Sequence, residues 1–139
     1  MEETALEALV ALVGGAARAA RTVDAALGGP HAVSLVELGL LRAVEESPGQ
    51  RARPVELVRW VALTPSGVTR GIDRLARRGL LRVDVDETDR RGVAVSLTAA
   101  GRRLFTDARA SASSAAQRLF RRLSLGQTRQ LIRLLEEIG

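Results

Sequence analysis

Residues 64–102 read TPSGVTRGIDRLARRGLLRVDVDETDRRGVAVSLTAAGR, and inside this stretch the apolar period changes from helical to alternating. Thr64 is a suitable N-cap and Pro65 a suitable first helical residue. Val68, Ile72 and Leu75 then recur at helical spacing until Arg78-Gly79 stops the helix. Leu81, Val83 and Val85 alternate with Arg82, Asp84 and Asp86, the pattern of a half-buried strand. Val93, Val95 and Leu97 repeat it, and the polar run from Asp86 to Gly92 makes the two strands a hairpin with a long charged tip.

Upstream, Pro54 suits the first turn of a short helix through Leu57, Val58 and Val61. The brief connection Ala62-Leu63-Thr64 makes that helix and the next a helix-turn-helix. The second of such a pair is the recognition helix, whose first residues meet base edges in the major groove. Thr64, Ser66, Gly67, Thr69 and Arg70 stand there, with Arg74 one turn further. Hydroxyls can bond bases or phosphates, and Arg can grip guanine O6 and N7 with two parallel bonds. Gly67 keeps the helix start thin, and the first-turn N–H groups suit a phosphate. On this segment alone the alternative is that Arg70, Arg74, Arg77 and Arg78 form only the wet face of an amphipathic helix.

The flanks are helical too. Leu6, Val10, Val13, Ala17, Ala20 and Leu27 form one stripe from Glu2 to about Leu27, which Gly28-Gly29-Pro30 is expected to end. Ser34 caps a second helix with Glu37 as its capping-box partner, and Val36, Leu40, Leu41 and Val44 form its stripe before Ser47-Pro48-Gly49. Thr98 caps a helix of about 25 residues with Leu104, Ala108, Ala112, Ala115, Leu119 and Leu123 on one side. Ser124 and Gln127 open the last helix, marked by Leu131, Leu135 and Ile138. These stripes exceed what the small helix-turn-helix and hairpin could cover, so they call for a partner surface, with a bundle capping its own domain as the alternative.

Composition sets outer bounds. The 139 residues, 46% hydrophobic and 27% charged, suit one folded domain. No apolar run approaches a membrane span and no secretory signal is visible, so the chain is expected to be cytoplasmic, with no membrane partner. With no Cys and one His, disulfides, thiol chemistry and zinc sites are excluded or disfavoured. Phosphate loops, dinucleotide fingerprints and a Ser-His-acid constellation are missing, so neither an enzyme nor a cofactor is expected. All 21 basic residues are Arg, and their excess is local: residues 1–50 carry net −4, residues 51–103 net +6 and residues 104–139 net +3. A basic middle third is the footprint of a segment that faces a polyanion, although charge alone equally fits a solvated face.

The stretch Val68–Leu81, followed by Asp86-Glu87-Thr88-Asp89-Arg90-Arg91-Gly92 and Leu97-Thr98-Ala99-Ala100-Gly101-Arg102, resembles the MarR family of bacterial transcription regulators. The pairing of an Asp-Arg-Arg wing tip with a Leu-Thr-x-x-Gly-Arg run at fixed distance carries the resemblance, and the helix order matches over essentially the whole chain. It implies a mostly α fold with a small β hairpin: a winged helix-turn-helix over 34–98, with dimerisation helices over 2–27 and 99–138 of one domain, 1–139. The wing lies along the minor groove, with Arg90 or Arg91 entering it and Asp89 holding the tip in shape. The resemblance further implies a homodimeric repressor on pseudo-palindromic duplex DNA, released by a small organic effector. His31, at the start of the second helix and expected to be exposed, and Trp60 lie where it would place pocket walls. A winged helix used for protein–protein contact and a ligand-independent architectural DNA binder are the alternatives.

Overall fold

The computed structural model describes residues 1–61, 64–88 and 92–138, the side chains of residues 59–61 excepted. Among the described residues, six α-helices accompany a small sheet: α1 (Glu2–His31), α2 (Leu35–Glu46), α3 (Pro54–Val61), α4 (Pro65–Arg77), α5 (Ala99–Leu119) and α6 (Leu125–Ile138). The strands are β1 (Arg51–Ala52), β2 (Leu81–Val85) and β3 (Val93–Leu97), ordered β1-β3-β2 and antiparallel throughout. β2 and β3 pair with Leu81 opposite Leu97 and Val85 opposite Val93. This is the mostly helical winged-helix architecture with a β hairpin that the sequence predicts.

The core lies where α2, α3, α4 and the sheet meet. Leu40, Leu41, Val44, Leu57, Val68, Leu75 and Val95 are fully buried there, each removing side-chain surface worth about 1.5–3 kcal/mol. Leu27 of α1 and Phe105, Ala108 and Ala115 of α5 extend the same core. The tight α2–α4 contact uses Gly71, where an added Cβ would lie 2.5 Å from Leu40 Cδ1.

Several element ends differ from the sequence reading. α1 continues through Gly28, Gly29 and Pro30 to His31 and closes on Ala32 in the left-handed region, φ 53°. Proline removes one backbone donor, and in a last turn that loss forfeits a single bond. Buried Leu27 holds this turn on the core. His31 therefore ends the first helix rather than starting the second, and it is half-buried rather than exposed. β1 is an addition, too short to show a period. β2 is not half-buried along its length, because only Leu81 is covered while Val83 and Val85 project with the wing. α5 is shorter than expected and ends at Leu119, capped by Phe120.

The joint between α4 and α5 explains the Leu-Thr-x-x-Gly run. After α4, Gly79 takes φ 72°, and the Gly79 and Leu80 N–H groups return to the Ala76 and Leu75 carbonyls, a Schellman closure. Thr98 donates its hydroxyl to the Gly79 carbonyl (2.6 Å) and accepts from Gly101 N–H (2.9 Å), capping α5. The Leu80 carbonyl occupies the space a side chain at Gly101 would need. We expect Gly101→Ala to cost about 2–3 kcal/mol in urea unfolding, as backbone must move. Gly28→Ala, on an exposed helical position with nothing within 4 Å, is expected to stabilise by roughly 0.5–1 kcal/mol.

Candidate nucleic-acid interface

The start of α4 is built by its own cap. Thr64 Oγ1 accepts from Gly67 N–H at 3.1 Å and lies 3.2 Å from Ser66 Oγ, while Pro65 occupies the first turn. Val68, Gly71, Ile72 and Leu75 face inward, so the helical period turns Ser66, Thr69, Arg70, Asp73, Arg74 and Arg77 to solvent. Thr69 Oγ1 bonds back to the Pro65 carbonyl (3.1 Å), which fixes its methyl and hydroxyl. Gly67 is partly covered. Of the six residues expected of a recognition helix, Ser66, Thr69 and Arg70 stand exposed near the N-terminal end of α4, Thr64 is its cap, Gly67 is partly covered, and Arg74 lies in the last turn.

Arg74 differs from Arg70 in its surroundings. Its Nε lies 3.4 Å from Glu37 Oε1 on α2, and Arg78 approaches the other oxygen of Glu37 at 4.0 Å. The Glu37 N–H completes the expected cap bond to Ser34 Oγ (3.1 Å), but its carboxylate points to these arginines rather than closing the box. Arg78 also donates to the Ala32 and His31 carbonyls at 2.6 and 3.3 Å, satisfying acceptors left open at the end of α1.

At the hairpin, Asp89, Arg90 and Arg91 lie outside the described residues, as do Ala62 and Leu63 of the turn. The wing's base is described. Asp86 N–H donates to the Gly92 carbonyl (3.0 Å), and the Asp86 carboxylate accepts from Thr88 N–H (3.0 Å) and Thr88 Oγ1 (2.8 Å). Those bonds, the backbone one foremost, hold the Asp86 carboxyl below the usual range, with Arg53 and Arg51 adding attraction against the cost of burial. A lowered pKa stabilises the wing base above the carboxyl's ordinary titration range, and that contribution fades as pH falls through the lowered value. Arg53, at the start of α3, bonds Glu56 (3.3 Å) and stands 3.7 Å from Asp86, linking wing and helix-turn-helix. Composition gave no signal for this link, because Arg53 is sequence-distant from the hairpin.

Two hollows among the described residues bear on the expected ligand pocket. A cavity of about 380 Å³ between α1, α2 and α5 is lined by Val23, Leu38, Phe105 and Ala112, with Arg42 and Arg109. His31 is not among its walls. Its Nε2 meets Ser111 Oγ at 2.8 Å, and Ser111 lines a second hollow with Ala26, Ser114 and Arg118. Trp60 belongs to α3, and its side chain lies outside the described residues. The sequence reading missed Arg42 and Arg109, which sit on faces of α2 and α5 that periodicity marks only as polar. Among the described residues, no group of three His, Cys, Asp or Glu could hold a metal, and no helix is long and apolar enough to cross a membrane.

Substituting Arg70 tests the outer face of α4. Arg70→Ala is expected to lose about 1–3 kcal/mol of discrimination between the preferred duplex and single-base variants, with unchanged thermal unfolding. Competition binding on a variant panel reads it, and uniform weakening across the panel would place Arg70 on phosphate instead.

The chain is similar to known proteins over most of its length. The MarR family profile matches residues 33–92. The HTH-type transcriptional repressor Rv2887 of Mycobacterium tuberculosis is 32% identical over 117 residues, covering 84% of this chain and 82% of that protein. Sco3205, a MarR family transcriptional regulator from Streptomyces coelicolor solved in complex with DNA, shares the fold at a TM-score of 0.87 and 24% identity, over 96% of this chain and 84% of that one. BpsR of Bordetella bronchiseptica, whose DNA binding is regulated by 6-hydroxynicotinic acid, gives a TM-score of 0.83 at 25% identity, over 91% of this chain and 89% of that one.

Proposed function

The chain belongs to the MarR family of DNA-binding transcriptional regulators, and from that premise we propose that it is a homodimeric repressor of a pseudo-palindromic operator. The observation that carries this reading is the outer end of α4, where Ser66, Thr69 and Arg70 stand exposed on a rigid, capped helix whose opposite face is core. In this proposal Thr64, Ser66, Gly67, Thr69, Arg70 and Arg74 form the major-groove surface. Asp89, Arg90 and Arg91 form the wing tip, with Arg90 or Arg91 entering the minor groove and Asp89 holding the tip in shape.

The dimer is supported by apolar surface left open. Leu6, Leu9, Val10 and Val13 of α1 are all more than half exposed, and α6 buries no residue although it carries Leu125, Ile132, Leu135 and Ile138. Helices with such stripes need a second surface to cover them. An isologous pairing through 2–27 and 99–138 places two 34–98 lobes on one side of the duplex. Their half-sites then fall about one helical turn, roughly 34 Å, apart.

An effector is the third element of the proposal. The α1–α2–α5 cavity lies where the dimer helices meet the DNA-reading lobe, and its apolar lining with two arginines suits a small organic anion. Occupying it would press α2 and α5 apart and so alter the spacing of the two α4 helices.

Fluorescence anisotropy on the upstream intergenic duplex of the protein's own gene, against a scrambled duplex of equal length, tests the reading. The expected preference is about 10³-fold or more, with affinity falling linearly in log salt. Equal, weak binding to that duplex, and to fragments selected genome-wide, would overturn it in favour of a protein-contact role. On the preferred duplex, Arg91→Ala is expected to weaken binding most where the flanks are A·T-rich. The same loss on G·C-rich flanks would remove the minor-groove assignment.

A further inference from the structure

Glu37 lies on α2, outside the recognition helix, yet its carboxylate is turned toward α4. Its side chain is only 15% exposed, whereas that of Arg74, its nearer partner at 3.4 Å, is 52% exposed. The second partner, Arg78, stands at 4.0 Å and is already engaged by the Ala32 and His31 carbonyls. Arg74 is therefore the main neutralising group for a carboxylate that has lost most of its water. If Arg74 left for a DNA phosphate, Glu37 would be stranded with one distant, shared arginine, and a poorly solvated unpaired charge is costly. No comparable restraint acts on Arg70, which has no acidic neighbour among the ion pairs of the described residues.

Resting on the DNA-binding reading above, we infer that Glu37 is a specificity-determining residue that withholds Arg74 from generic phosphates and keeps its guanidinium in one place on α4. Non-specific affinity comes from neutralised phosphates, so each arginine free to find any phosphate raises binding to every sequence. Pairing Arg74 with Glu37 removes one such contact from the wrong duplexes. The cap of α2 does not depend on this carboxylate, because Ser34 accepts from the Glu37 backbone N–H. Glu37 acts through Arg74 and is a positioning residue, not a base contact.

The test is a double-mutant cycle of Glu37→Gln and Arg74→Ala, read as the slope of log affinity against log salt on a scrambled duplex. Each phosphate contact contributes about 0.9 to that slope. In the Glu37→Gln background, Arg74→Ala is expected to reduce the slope by about 0.9; with Glu37 present, the reduction is expected to be less than half of that. The advantage of Glu37→Gln over the parent protein should shrink about 1.9- to 3.5-fold between about 50 and 200 mM salt. Equal steps in both backgrounds would show that Glu37 acts only through its own charge and would overturn the inference. Should Glu37→Gln fail to fold, Arg74→Ala alone decides: a loss of the full 0.9 overturns it, and a loss below half supports it. A parent protein that binds no duplex would overturn the DNA reading and this inference together, whereas salt-dependent parent binding with equal steps removes the inference alone.

Discussion

The one-sided burial of α4 is the constraint on which the rest depends. Val68, Ile72 and Leu75 enter the core, and Gly71 lets the helix lie against Leu40 of α2. A 3.6-residue period then leaves no choice about where Ser66, Thr69 and Arg70 go. The Thr64 cap fixes where the helix begins, and the Gly79–Leu80 closure fixes where it ends. The same Leu80 carbonyl meets the Thr98–Gly101 start of α5, so one short joint sets the recognition helix, the wing and the long helix relative to each other.

A second joint sits at the other end of the lobe. Ala32 in the left-handed region, the Asp24–Leu35 bond of 2.6 Å and the Arg78 contacts to the His31 and Ala32 carbonyls tie the end of α1 to α2 and α4. In the proposed dimer α1 and α6 carry the contact between copies, and this joint is where their movement would reach the DNA-reading face. Non-glycine residues reach that backbone region at some cost, and the surrounding bonds hold it. The α1–α2–α5 cavity, whose walls include Val23 and Leu35, lies beside the same junction, through which the proposed effector would act on α4.

Much of this was legible in the sequence. The change of period from Val68-Ile72-Leu75 to Leu81-Val83-Val85 identifies helix and hairpin, because each pattern can bury only one kind of surface. The caps at Ser34, Thr64, Thr98 and Ser124 are all formed by the residues that chemistry favours. Local signals failed where tertiary contacts took over. Gly28-Gly29-Pro30 reads as a stop, yet buried Leu27 and the Arg78 guanidinium carry the helix through to His31. The Glu37 carboxylate reads as a capping-box partner, but arginines from a helix more than thirty residues away claim it. Arg42, Arg109 and Arg53 acquire roles only when distant elements meet, and no spacing rule along one element can reveal them. The apolar stripes read on α1 and α6 stay largely open in the single chain, where Leu6, Val10, Val13, Leu135 and Ile138 are exposed.

In the proposed complex α4 enters the major groove while the hairpin follows the minor groove. Dimethyl sulfate footprinting reports both grooves at once, since guanine N7 faces the major groove and adenine N3 the minor. On a duplex selected by the protein itself, the account predicts guanine N7 protection in two patches about one helical turn apart, flanked by adenine N3 protection on the outer sides. Protection of adenine N3 alone, or of neither base while phosphates are shielded, would contradict it.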